Sequence, residues 1–188
     1  MSLYLSSRAL KVPLSKGRDK PILSTRKFFL SAHQRSTVLK LCEIGWLYGR
    51  VHSFTEQQAC ESGYGLVGQG LVTALREELT EYYRLVASLE NQIREGGVTL
   101  LQLGVWTKQP QSRLGLLALL VDSVGIARGG ALAGQLYTSH SLSEPHFRNC
   151  VATLLSACCR PLYTILLRWV LDGSLGDPHN EFFYLWRT

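Results

Sequence analysis

The sequence predicts an all-α protein, an antiparallel helical bundle, on three observations. Apolar residues recur at spacings of three and four along most of the chain, no stretch alternates with period two, and glycine pairs and prolines punctuate it at helix-like lengths. At 188 residues and 46% hydrophobic, the chain is long enough to bury one sizeable core. Its 18% charged content lies below the ~25% usual for soluble proteins, which argues against intrinsic disorder and for apolar surface meant for a partner.

Residues 1–33 read as a basic, disordered tail: no periodicity is sustained, and Pro13, Gly17, Pro21 and scattered serines interrupt it. Residues 1–40 hold nine Lys or Arg and one acid, Asp19 (+8), against eleven basic and thirteen acidic residues from 41 to 188 (−2). The net charge of +6 therefore belongs to the tail. A near-neutral body with interleaved charges has no basic stripe to release counterions from a phosphate backbone, so no nucleic-acid partner is expected. Arg8, Lys11 and Pro13 interrupt any signal-peptide core. Five cysteines without a CxxC pair read as reduced, intracellular thiols.

The first helix is expected from a cap at Ser36 or Thr37, with Val38, Leu41, Ile44, Leu47 and Val51 as its stripe and Leu39, Trp46 and Tyr48 widening it. A long second helix is expected from about Leu66 to Arg94, where Leu71, Leu75, Leu79, Tyr82, Val86, Leu89 and Ile93 keep one face until Gly96-Gly97 stops it. Thr99 to Trp106 forms a short helix, and Pro110 marks a turn before the helix of Leu114, Leu117, Leu120 and Val121. Gly129-Gly130 breaks the chain ahead of a short helix with Leu132 and Leu136. Ser143, Glu144 and Pro145 start a helix to Cys159, and Pro161 starts the last, carrying Leu162, Ile165, Leu166 and Trp169 until Gly173. Cys150 to Leu171 has the length of a membrane span, but Arg160 at its centre, Arg168 and Pro161 read against one, so no membrane partner is expected.

Catalytic and ligand motifs are weak. Gly63, Gly65 and Gly68 spell G-x-G-x-x-G, but the dinucleotide fingerprint needs a preceding strand, and FTEQQACES reads as helix or loop. The glycines read instead as a closely packed helix start. His146 and Cys150, with His140 as a third, do not complete a four-ligand zinc set. Cys158 and Cys159 read as buried small hydrophobes, and Trp46, Tyr82, Tyr83, Trp106 and Trp169 as core. No catalytic, cofactor-binding or metal residue is assigned, and a helical enzyme is kept as a distant alternative.

Five ordered strings carry a resemblance: LCEIGWLYGRV from Leu41, GYGLVGQGL from Gly63, LREELTEYYRLVASL from Leu75, VWTKQPQSRL from Val105 and LLRWVLDGSLGDPHNEFF from Leu166. Together they resemble the γ-tubulin complex component family, nearest to its third component, over about Thr37 to Phe183. The matching residues include Gly45, Trp46, Gly65, Leu66, Val67, Gly68, Gln69, Trp106, Arg168, Trp169, Asp172, Gly173, Glu181, Phe182 and Phe183, read as mostly structural.

The resemblance implies that residues 34–188 are part of the helical N-terminal GRIP domain, through which components contact each other laterally, with the C-terminal γ-tubulin-binding domain absent. It further implies a non-enzymatic scaffold without cofactor, acting in microtubule nucleation at centrosomes or spindle poles in the cytoplasm and cytoskeleton. Other γ-tubulin complex components are the implied partners, with γ-tubulin reached indirectly. The alternative it leaves is a truncated isoform or paralogue that binds components without γ-tubulin and regulates assembly.

Overall fold

The structure, a computed structural model, describes residues 31–60 and 64–181. Those residues form six helices and no strand: α1 (Ala32–Cys60), α2 (Gly65–Glu95), α3 (Leu100–Trp106), α4 (Lys108–Val124), α5 (Gly129–Leu142) and α6 (Pro145–Asp172). The all-α fold class is as the periodicity predicts.

Several boundaries differ from the sequence expectation, each for a local reason. α1 starts at Ala32 because Ser31 and Gln34 form a reciprocal cap: the Gln34 N–H donates to Ser31 Oγ and the Ser31 N–H to Gln34 Oε1. Thr37 instead donates its hydroxyl to the His33 carbonyl inside the helix. Pro110 makes no turn. It sits in the first turn of α4, where backbone N–H groups have no helical acceptor, and the chain turns at Thr107. The glycine pair at 129–130 opens α5 rather than separating helices.

The expected break at Pro161 is absent, and α6 runs through it for 28 residues. Proline removes the N–H that would engage the carbonyl of Ala157, four residues back. A Cβ built on Gly70 of α2 would lie 2.6 Å from that same carbonyl oxygen, so a Gly70 Cα–H points at it. The proline gap in α6 thus faces the one side-chain-free position where α2 comes close enough to cover it.

α2 is the central helix, packed against α1, α5 and α6, while α4 packs on α1, α3 and α5. Tyr48 pairs with Tyr83 through their hydroxyls and Arg76 with Glu56 at 3.2 Å, so α1 and α2 run antiparallel. The α3 segment returns the chain to the start of α1, where Gly104 abuts Thr37. α4 therefore runs parallel to α1, tied by Arg50–Asp122 at 2.6 Å and Gln111–Glu43 at 2.9 Å; this neighbour pair departs from the antiparallel expectation. Arg113 joins α4 to Glu78 of α2 at 2.7 Å.

The core holds Ile44, Leu47 and Val51 of α1, Leu71, Leu75 and Leu79 of α2, Leu117 and Val124 of α4, Leu132 and Leu136 of α5, and Val151, Leu154 and Cys158 of α6. The α2 stripe is not covered along its whole length: Leu89 is buried, but Val86 and Ile93 are exposed. Tyr83 and Trp106, expected in the core, are also exposed, whereas Trp46, Tyr82 and Trp169 are partly buried. On α2 and α3 the uncovered positions gather at the end of the bundle where α2 stops and α3 lies.

Candidate interaction surface

Two features stand out from the bundle: a carboxylate that closes one end of it, and an apolar face that none of the described residues covers. The first involves Glu181, which is buried although it lies nine residues beyond α6. The N–H of Leu66 donates to its Oε2 at 2.6 Å, and the N–H of Val67 to both carboxylate oxygens at 3.2 Å. These are among the N–H groups that a helix start leaves without acceptors, and the negative charge sits at the positive end of the α2 dipole. The side chain of Tyr64, at the cap position itself, makes no capping hydrogen bond.

Glycine makes the docking possible. A Cβ at Gly65 (φ +69°) would lie 2.1 Å from Glu181 Oε1, and one at Gly129 (φ +54°) would lie 3.2 Å from the Glu181 Cα. Both φ values are ones that side chains disfavour, so glycine is required twice over. Glu181 thereby holds the starts of α2 and α5 together.

The second feature is on α6. Val151, Leu154, Cys158 and Ile165 form its buried side. Tyr163, Leu166, Leu167, Val170 and Leu171, spaced by three, one, three and one, form a stripe on the other side and are 37–77% exposed. The helix is therefore apolar on two opposite faces, one of which meets solvent, with Arg160 and Arg168 exposed beside it. By length and composition α6 also suffices to cross a membrane, with mean hydropathy 1.6 over its most apolar stretch.

The remaining motif residues fall as follows. Gly68 meets the Tyr64 ring, Gly45 and Gln69 are exposed, and Arg50 places its guanidinium 5.3 Å from the Trp46 ring. Trp106 is exposed, as are Arg168 and Asp172, and Gly173 caps α6 in the left-handed conformation. Gly63, Phe182 and Phe183 lie outside the described residues. The residue that ties the glycine-rich string to the C-terminal string is Glu181, a link that required the third dimension to see.

His146 is exposed, and Cys150 lies beside Arg113 rather than in a ligand set. Among the described residues no group of three or more His, Cys, Asp or Glu side chains is placed to hold a metal. Burial, and then the neighbouring Cys159, push the Cys158 thiol up to about 12. Two outcomes are expected. Thiol alkylation near pH 8 in the native state spares Cys158 until the chain unfolds, as peptide mapping would reveal. Because the folded state holds this proton more tightly than the unfolded one, the Cys158 contribution to stability falls as pH rises from about 9 toward 12.

The chain matches the family model described as gamma tubulin complex component N-terminal over residues 5–183, nearly its whole length. The chain belongs to this family. It is 38% identical to human gamma-tubulin complex component 3 over 165 residues, which are 82% of this chain and 18% of that protein. It is 34% identical to the Arabidopsis thaliana gamma-tubulin complex component 3, over 79% of this chain and 20% of the relative. Spindle pole body component 98 of Dictyostelium discoideum is 26% identical over 82% of this chain and 25% of its own length. The chain thus spans about a fifth of the length of the family members it matches. The family match takes in both the glycine-rich start of α2 and Glu181.

Proposed function

We propose that the chain is a non-enzymatic scaffold module of the γ-tubulin complex, contributing a component-to-component contact to microtubule nucleation at spindle poles or centrosomes. The observation that carries this reading is the second apolar face of α6. Leu167 is 58%, Val170 70% and Leu171 77% exposed in a helix whose other side is already buried in the core. A stripe of this kind gains about 25 cal/mol per Å² of apolar surface once a partner helix covers it. Membership of a family of complex components supports another component as that partner. A protein partner fits better than a bilayer, because Arg160 lies mid-helix and a central Arg costs roughly 2.5–3.5 kcal/mol on insertion.

The test is a pull-down of the tagged chain from cell extract, probed for γ-tubulin and for the other components, with full-length third component as control. Recovery of components is expected. The variant Leu167→Asp/Val170→Asp should reduce that recovery at least tenfold while leaving the thermal midpoint within about 2 °C, since both side chains are solvent-facing. Undiminished recovery would move the contact elsewhere. Components recovered with little γ-tubulin would favour a role in regulating assembly, whereas recovery of neither from folded protein would overturn the scaffold reading.

A further inference from the structure

We propose that Glu181 latches the outer half of α6, residues 162–172, to the rest of the bundle, and that Pro161 is the pivot on which this half swings once unlatched. The inference deepens the reading of α6 as a partner contact and rests on it for its consequence, because the latched half carries the exposed stripe.

Register along α6 shows where its support ends. Gly70 of α2 abuts the carbonyl of Ala157, and Glu78, through Arg113, reaches Cys150, so α2 and α6 run antiparallel. Gly65, the first residue of α2, is therefore level with about position 162 of α6. α5 packs on α6 across the short turn at Ser143 and Glu144, which puts its first residue, Gly129, level with about position 158. Both helices meet Glu181 at that height. The residues from Tyr163 to Asp172 continue for about 15 Å past them. Every large apolar residue of α6 that is exposed lies in this overhang.

Pro161 sits at the root of the overhang. Its ring nitrogen has no hydrogen to donate, so one backbone bond is missing where the outer half joins the inner. What ties the far end back is the strap from Gly173 to Glu181. It returns over the same ~15 Å, well within the ~26 Å that eight extended residues span. Of its residues only Glu181 is buried, and Asn180, at φ +53°, turns the chain immediately before it. The strap ends on the side of α6 that α2 and α5 occupy, and Ile165, seven residues after Cys158, continues that buried side into the overhang. It therefore closes along the inner side of the overhang, with Tyr163, Leu167, Val170 and Leu171 left facing outward. A partner that grips this stripe is held at a fixed angle to the bundle only while Glu181 stays docked.

The deciding variant lengthens the strap without touching its anchor: Gly-Ser-Gly-Ser is inserted after Gly176, an exposed residue with nothing within 4 Å of where a Cβ would lie. Spin labels carried on p-acetylphenylalanine at Gln57 and Arg168, both exposed, report the overhang by double electron–electron resonance, and labels at Gln57 and Arg148 report the inner half of α6. In the free chain the insertion should at least double the width of the Gln57-to-Arg168 distance distribution. The Gln57-to-Arg148 distribution and amide exchange at Leu66 and Val67 should not change. Adding Pro161→Ala, which restores the missing N–H, should narrow the first distribution again. An unchanged Gln57-to-Arg168 width would overturn the latch, as would broadening of both pairs, and failure of Pro161→Ala to narrow it would overturn the pivot. Glu181→Ala should broaden the same pair, and a native width in that variant would also overturn the latch. These distances are read without a partner, so they decide the latch even if Leu167→Asp/Val170→Asp shows that the face is not the contact. The lengthened strap should also lower recovery of components at least threefold, and undiminished recovery with a broadened overhang would overturn the role of the latch in binding.

Discussion

Replacing Glu181 by alanine is expected to lower the stability of the bundle by about 2–4 kcal/mol. A hydrogen bond to a charged group contributes roughly 1.5–3 kcal/mol, and a buried N–H left without an acceptor costs about 1–3. Leu66 and Val67 both donate to this carboxylate, and Val67 is fully buried. The loss should appear as a lower urea midpoint at unchanged m-value, with faster amide exchange at Leu66 and Val67. Glu181→Gln keeps one acceptor oxygen and should recover part of the loss. Gly65→Ala should approach the alanine variant from the other side: a left-handed non-glycine residue costs roughly 1–2 kcal/mol, and its Cβ would displace the carboxylate it now touches. A change below about 0.5 kcal/mol in Glu181→Ala would mean that solvent caps α2 equally well.

A comparable effect is expected at Gly70. Overpacking a core costs typically 1–3 kcal/mol, and Gly70→Ala belongs in that range, because the atom in the way is the backbone carbonyl of Ala157. A backbone atom inside a helix cannot swing aside as the tip of a side chain can. Gly70→Val should exceed ~3 kcal/mol, since its branches would push α6 away from Val67, Leu71 and the rest of the α2 core face. Gly45→Ala provides a control of opposite sign: nothing lies within 4 Å of its Cβ, and alanine in an exposed helix interior is preferred by about 0.5–1 kcal/mol. Urea denaturation of the three variants side by side checks the argument, and a neutral Gly70→Ala would sink it.

These two sites show which parts of the molecule were legible in the sequence. Helix identity was, because α1, α2 and α4 each bury one stripe and spacing alone reveals a stripe. The continuity of α6 was not. Pro161 reads as a stop when only its own helix is considered, and its toleration is explained by a glycine some ninety residues earlier. The G-x-G-x-x-G string follows a helix, α1, where the dinucleotide fingerprint needs a strand. That an acid near the C-terminus takes the place a phosphate would occupy at such a helix start could not be read from spacing, since the two are more than a hundred residues apart. The aromatic residues misled for a different reason. Tyr83 and Trp106 lie on helices, but helical periodicity does not say how far along a helix its neighbours reach.

The two-faced character of α6 has a consequence for the life of the protein in a cell. One rigid helix presents the same chemistry inward and outward, so a copy without a partner displays what quality-control machinery recognises as damage, even when its fold is complete. A partner that covers this face would stabilise the chain by RT ln(1 + [partner]/Kd), about 2.7 kcal/mol at a hundredfold excess over Kd. A surplus copy would be cleared or would self-associate, and an assembled one would persist. Its steady-state abundance should therefore follow the supply of its partner more closely than the level of its own transcript.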